Sequence, residues 1–402
     1  MQTIALVGTL DTKGTEFNYV KQVLERLGNR VLLINAGVFS PTVEVDIDAN
    51  ELAAVEELTI DQVRTDYTRG EANAILAHGL RILLPRLYQA GKFQGILSLG
   101  GSGGTSLVTP AMQQLPLGVP KVMVSTVAAG NTREYVGTSD IVMIPSIVDV
   151  SGLNKISRVI FDNAAAAISG MFNHSMTTLV DTKPLIGATM FGVTTKAVDH
   201  ARSLLDQAGL ETLVFHATGT GGQTMESLIA QGYFAGVLDL TTTEIADELC
   251  GGVMAAGQTR LDSAIQAHLP EVLAPGALDM VNFGPYETVP AKYRQRNLVK
   301  HNPTVTLMRT TIAENQQFGQ FMAQKLNQAQ RPIAVMIPTK GFSELDAVGQ
   351  PFYGPEEDAA FTDSLTKALT NNAVTVTKLP YHMNDPRFTQ ACVEQLKILM
   401  KG

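Results

Sequence analysis

Short unbroken apolar runs alternate with stretches of helical spacing along this chain. Thr3–Val7 and Val31–Ile34 read as short buried strands. Between them Phe17, Val20, Val23, Leu24 and Leu27 share one face, which predicts a helix from about Thr15 to Leu27, stopped by Gly28. Strand, helix and strand at this spacing predict a βαβ unit with parallel strands. The more polar residues 50–75 predict one or two surface helices with a loop. A helix and an apolar strand then lead to Gly100, and further strands lie in VPKVMVSTVAAG and SDIVMIPSI. The helix NKISRVIFDNAAAAISGMF ends this half.

The pattern then restarts. KPLIGATMFGVTTKAVDHARSLLDQAGLETLVFHATGTGG repeats the opening order, and Gly219–Gly222 resembles Gly101–Gly104. Either an old duplication or the shared physics of βαβ units accounts for this. Two α/β domains are expected, 1–180 and 181–402, closely packed with a crevice between them. DMVNFG, TVTLMRT and RPIAVMIPTKGF supply further strands, and PTKGFSELDAVGQPFYGPEED is expected to be a long structureless loop of functional character.

Length and composition fit this picture. The 402 residues allow two or three domains at roughly 100–200 residues each. Thirty-five glycines and no tryptophan suit many tight strand-to-helix turns. The net charge of −8 argues against a general nucleic-acid binder, which needs a basic surface, but not against a nucleotide held by local amide dipoles. Cys250 and Cys392 make no disulfide framework and point to a reducing compartment. The start MQTIALVGTLDTKG has no basic leader, and no uncharged apolar run approaches ~18 residues. A cytoplasmic protein with no membrane span is expected.

The candidate chemistry lies at glycine-rich turns after strands. In an open parallel sheet, ligands sit beyond the carboxyl ends of the strands, where a helix start offers unpaired N–H groups. Gly100, Gly101, Ser102, Gly103, Gly104 and Thr105 are suited to wrap an anion in main-chain amides. Close packing of small residues is the other account of the same turn. No lysine follows these glycines as in a Walker A loop, and Ser106 stands where a dinucleotide fingerprint has its third glycine. In GTLDTKG, Lys13 is placed to neutralise phosphate, and Asp11 to hold magnesium, with Thr9, Thr12 and Thr15 as donors or caps. Ser125 and Thr126 follow a later strand, near the same edge, and Arg133 in the loop beyond reads either as a fork for phosphate or carboxylate or as a plain exposed arginine.

Other candidates lie in the second half. Glu244 and Glu248 share a helical face, as a metal or acid–base pair or as a solvated surface. Cys250 is a candidate nucleophile or a small buried residue, and His216 ends a strand beside a glycine turn. Thr339, Lys340 and Gly341 repeat the Thr-Lys-Gly device with Asp346 nearby. The basic segment from Tyr286 to Arg309, with Lys292, Arg294, Arg296 and Lys300, reads as a receiver of an anionic substrate or a partner, or as a solvated surface. No zinc-protease spacing occurs.

Taken together, GTLDTKG, LGGSGGT, DIVMIPSIVDVSGLNKISR, HATGTGG, DLTTTEIADELCGG and IPTKGFSELDAVGQPFY resemble the Tm-one-like ATP-binding family over essentially the whole chain. The resemblance implies two Rossmann-like domains, each a mostly parallel sheet flanked by helices, with ATP and Mg2+ binding and a homodimer. By motif it places the nucleotide on Thr9, Asp11, Thr12, Lys13 and Gly100–Thr105, with Ser125 and Thr126 as neighbours. The chain is expected to match a stand-alone microbial member, without the additional domain of the related plant protein. On this reading a small anionic metabolite would face His216, Glu244, Lys340 and Asp346 in the crevice. The alternatives are a non-catalytic, nucleotide-gated binding or dimerisation module, and a sugar-phosphate or carboxylate enzyme that does not use ATP.

Overall fold

The computed structural model describes residues 1–172 and 183–401. The chain divides into two compact units, Met1–Thr178 and Leu179–Gly402. The boundary expected between 180 and 181 lies outside the described residues. Helices of eight or more residues are numbered below.

The first unit runs β1 (Thr3–Gly8), α1 (Leu10–Arg26), β2 (Arg30–Asn35), α2 (Arg69–Gln89), β3 (Gly95–Gly100), α3 (Ser102–Met112), β4 (Lys121–Ser125), β5 (Val142–Pro145) and α4 (Lys155–Met171). Its strands are parallel, in the order β2-β1-β3-β4-β5. Both sheet faces are covered, which is why the inner strands are apolar without alternation. Phe17, Val20 and Leu24 of α1 pack with Phe161, Ala164 and Ile168 of α4 on one face. Leu76, Leu80 and Leu84 of α2 pack with Leu107, Val108 and Ala111 of α3 on the other. The chain therefore leaves β1 and β3 toward opposite faces, and a crevice opens where the strand order reverses.

The first helix begins at Leu10, five residues before the helical spacing predicts. Thr12 and Lys13 donate to the Thr9 carbonyl, so GTLDTKG is already a helical turn. Lys13 departs from helical torsions (φ −127°, ψ 22°) and kinks it. The next residue must be small, because a Cβ on Gly14 would meet Thr42 Oγ1 at 2.0 Å.

The second unit contains β6 (Leu185–Met190), α5 (Thr195–Gln207), β7 (Glu211–His216), α6 (Thr220–Ala230), β8 (Gly236–Thr241), α7 (Thr243–Cys250) and β9 (Glu271–Gly276). It continues with β10 (Met280–Phe283), β11 (Leu298–Asn302), β12 (Val305–Arg309), α8 (Ile312–Leu326), β13 (Ile333–Pro338), α9 (Pro355–Ala368), β14 (Val374–Leu379) and α10 (Pro386–Leu399). Six parallel strands follow the order β14-β13-β9-β8-β6-β7. Counted along the chain, this is the winding of the first unit with a sixth strand added. Both units are Rossmann-like α/β layers. An antiparallel sheet, β10-β12-β11, is inserted between the fourth and fifth strands. No helix among the described residues is long and apolar enough to cross a membrane.

The winding corrects one equivalence. Gly101–Gly104 follow the third strand of their sheet, whereas Gly219–Gly222 follow the second. The segment that follows the third strand of the second unit is Thr242–Glu244. The two glycine turns are alike in sequence and different in place.

The long loop over residues 339–354 is not structureless. Phe342, Ser343, Asp346 and Phe352 are fully buried. Asp346 accepts from the N–H groups of Phe342 (2.8 Å) and Gly354 (3.0 Å), closing the loop around its carboxylate. Arg309 Nη2 lies 3.0 Å from Asp358 and 3.4 Å from Asp346. Asp279 accepts from the Ser343 hydroxyl at 2.7 Å in the same cluster. Burial, reinforced by the Asp346 charge, pushes Asp358 up to about 9 and Asp279 up to about 7.

These carboxyls hold protons in the folded state that the unfolded chain releases near 3.8. Their contribution to stability is full below that value and is lost as pH rises through about 7 and about 9. The thermal midpoint of the second unit should therefore fall by a few degrees between neutral and alkaline pH. Asp358→Asn should flatten the decline at the alkaline end. Calorimetric scans of both proteins across that range check this.

Candidate functional site

The crevice between the turns after β1 and β3 is a cleft of about 1000 Å³. Thr9, Asp11, Thr12 and Lys13 line it from the first turn, and Gly101–Gly104 from the third. The segment after β2 adds Gly37 and Phe39, the approach to α2 adds Arg64 and Tyr67, and α2 itself adds Arg69 and Asn73. The lining thus carries three cationic side chains and one carboxylate, in a chain of net charge −8.

Asn35 holds two of these walls in place. It is fully buried at the end of β2, and its Oδ1 accepts from Leu10 N (3.1 Å) and Gly37 N (2.9 Å). Asp11 Oδ2 accepts from Phe39 N at 3.1 Å, while its buried Oδ1 has no hydrogen-bond partner. Gly37 makes that contact feasible, since a Cβ there would lie 2.3 Å from Asp11 Oδ1. Thr9 and Thr12 share a hydroxyl contact at 3.3 Å. Lys13 lines the cleft, yet its ammonium donates to the Val150 carbonyl at 2.5 Å.

The glycines of the third turn divide by role. A Cβ on Gly100 would lie 3.0 Å from Gly104 Cα, so packing there requires a small residue. A Cβ on Gly101 or Gly104 would have only ordinary contacts, at 3.7 and 3.8 Å, and one on Gly103 would meet nothing within 4 Å. None of the three has a positive φ. Internal packing therefore does not account for them. They leave the first turn of α3 bare on its cleft side, and no side chain caps that helix. Thr105 and Ser125 support the turn from behind. Their hydroxyls lie 2.6 Å apart, Thr105 also donates to the Gly101 carbonyl, and Ser125 accepts from Val127 N. Thr126 is exposed beside Gly101, outside the cleft lining. Arg133 does not line the cleft either.

In the second unit the similar turn is filled by the chain itself. Glu244 Oε1 accepts from Gly219 N (2.8 Å) and Gly222 N (3.0 Å), and Oε2 accepts from Arg260 Nε (2.9 Å). Arg260 is buried and also pairs with Asp239 (2.6 Å) and Glu226 (3.3 Å). Burial raises the pKa of Glu244, against the pull of Arg260. Here the glycines are demanded by packing. Gly219 has φ +86°, a Cβ on Gly221 would lie 1.9 Å from the His216 carbonyl, and one on Gly222 would lie 2.1 Å from Glu244 Oε2.

The candidate catalytic residues are accordingly dispersed. Glu244 and Asp346 belong to separate buried ion networks. Glu248 is partly exposed and accepts from Gln258, so the expected carboxylate pair does not act as one. His216 lies at the exposed end of β7 with its ring 5.4 Å from Phe191, and desolvation lowers its pKa. Lys340 is exposed, its N–H donates to the Tyr381 carbonyl, and the Thr339 hydroxyl donates to Leu379 O. That turn therefore secures β14. Burial pushes the Cys250 thiol up to about 12, which removes it as a nucleophile at neutral pH. In the basic segment Arg296 pairs with Glu314, and Lys292 and Lys300 lie over Tyr293 and Tyr286. Among the described residues no cluster of three or more His, Cys, Asp or Glu is arranged to hold a metal.

Sequence reasoning missed Asn35, Phe39, Arg64, Tyr67, Arg69 and Asn73. The available signal was the length of the β2–β3 connection, which far exceeds a crossover helix and carries arginine and tyrosine beside α2.

The contrast between the turns has a direct readout. Gly103→Ala should leave stability unchanged or raise it by up to about 1 kcal/mol. Gly222→Ala should cost about 1–3 kcal/mol by overpacking against Glu244. Denaturant midpoints of the two variants check this.

Comparison with known proteins places the chain. Residues 2–177 match the N-terminal domain of the uncharacterised protein family UPF0261, and residues 183–400 match its C-terminal domain. A UPF0261 protein of Clostridium tetani is 48% identical over 99% of both chains. One from Rhizobium meliloti is 45% identical over 98% of each. The ToMV resistance protein Tm-1(GCR237) of Solanum lycopersicum is 42% identical over 96% of this chain, which spans 54% of the tomato protein. The chain, matched in both of its domains, belongs to the uncharacterised protein family UPF0261.

Proposed function

We propose that the first unit binds a nucleoside triphosphate, ATP with magnesium, in the cleft between the β1 and β3 turns. The observation that carries this reading is the set of glycines at 101, 103 and 104. Packing does not require them, and they bare the start of α3 toward an electropositive cleft. Main-chain amides at a helix start and nearby cations suit phosphate. The cleft volume of about 1000 Å³ exceeds what one phosphate or a small carboxylate needs. Phe39 is 60% exposed, with the Arg64 guanidinium 5.4 Å above its ring, and Tyr67 lies nearby in the lining. These rings suit the flat face of a base.

The residues present also fit magnesium. Asp11 is the lining carboxylate and carries an unpartnered oxygen. Magnesium takes oxygens from one carboxylate and from phosphates, so a single Asp suffices. The ion would neutralise phosphate charge there. A nucleotide-gated binding role without turnover is the second reading. It is favoured by Glu244 and Asp346, which are buried and held in ion pairs rather than presented to a substrate.

Magnesium ATP at about 100 times its dissociation constant should stabilise the binding unit by about 2.7 kcal/mol, or roughly 5–10 °C in midpoint. Gly103→Val, whose Cβ meets nothing within 4 Å, should keep the ligand-free midpoint close to wild type and abolish the shift. Arg69→Ala should weaken it. Thermal-shift titrations with ATP, ADP, AMP and a sugar phosphate, with and without magnesium, test the reading. An equal shift in Gly103→Val would overturn it.

A further inference from the structure

The ammonium of Lys13 is held by a carbonyl although its residue lines an electropositive cleft. Its acceptor, Val150, lies 137 residues away in the loop that joins β5 to α4. A second residue of α1 holds the same loop. Glu16, three positions on and buried, accepts from the Gly152 N–H. One lysine and one glutamate on adjacent turns of α1 thus clamp residues 150–152 from outside. Lys13 is also the residue at which α1 departs from helical torsions.

The clamped loop carries strain. Ile147 has φ +64°, a conformation that β-branched residues rarely adopt, and its side chain is 71% exposed. Val148 N donates to the Ser146 carbonyl and the Ser146 hydroxyl returns to Val148 O, a tight turn just before the clamp. Such a conformation persists only where the surroundings over-determine it. Here the surroundings include the two bonds from α1.

We infer that Lys13 is an exchange latch. A phosphate in the cleft draws its ammonium from the Val150 carbonyl, and the loop over residues 146–153 is released. The exchange is favourable because a charge-assisted bond to phosphate is stronger than one to a neutral carbonyl. The ligand then has a differential interaction with the clamped and released states, which is what a conformational response requires. This inference rests on the nucleotide reading above and adds a consequence for a loop outside the cleft lining.

Hydrogen exchange on the full chain tests it, with the peptide containing Gly152 as reporter. Titration calorimetry run alongside establishes whether magnesium ATP binds. In the wild-type protein, saturating magnesium ATP should make this peptide exchange several-fold faster, the reverse of ordinary ligand protection. Lys13→Met should show the faster exchange without ligand, while peptides from β1 and β3 stay as in wild type. Glu16→Met, which removes the acceptor, should speed exchange at Gly152 with or without nucleotide. Binding heat with unchanged or slower exchange in 146–153 overturns the latch and leaves the nucleotide reading standing. Wild-type exchange in Lys13→Met shows that no clamp exists and also overturns it. An absence of heat with every nucleotide overturns the nucleotide reading and the exchange together.

Discussion

A helix that starts where a buried strand ends carries N–H groups with no partner inside the helix, and each needs an acceptor. That requirement organises both units of this chain. In the second unit the chain supplies acceptors from its own carboxylates. Glu244 closes the Gly219–Gly222 turn, Asp346 closes the loop to Gly354, and Glu226 accepts from Leu261 N and Ser263 N. Buried arginines accompany them, Arg260 beside Glu244 and Glu226 and Arg309 beside Asp346, and the pairs are tolerated because their oxygens are largely hydrogen-bonded. In the first unit no side chain caps α3, and its first turn faces the cleft.

Much of the architecture was legible in the chain. Parallel strands buried on both faces leave unbroken apolar runs, and helices leave a 3.6-residue spacing. β1, β2, β3 and α4 follow from those patterns alone. The start of α1 was not legible, because the bonds to Thr9 O that define it involve Thr12 and Lys13, which carry no apolar spacing. The long loop before α9 looked irregular because its order comes from one buried aspartate, and local pattern does not record a carboxylate reached from both ends.

The site was legible in part. Thr9, Asp11, Lys13 and the glycines at 101, 103 and 104 do meet in one cleft, because strand order brings the first and third turns together. Which glycine turn was open was not legible. GSGG and GTGG read alike, and the difference lies in whether an acceptor arrives from elsewhere in the fold. Asn35 was invisible for a similar reason. Its role depends on the Leu10 amide, which reaches it only when β1 and β2 pair, beside the local amide of Gly37. Phe39 and Tyr67 were passed over because a polar connection that returns over its own sheet looks, in sequence, like any surface excursion.

The room around Gly103 has a consequence beyond the molecule. A position with space for a larger residue drifts once nothing selects against the change, and it drifts without harm to folding. Gly221 and Gly222 have no such freedom, because steric overlap polices them in every descendant. Across lineages, then, the glycines of the second unit report only that the protein folds. Gly101, Gly103 and Gly104 carry no such steric record, so their retention would mark a demand other than folding.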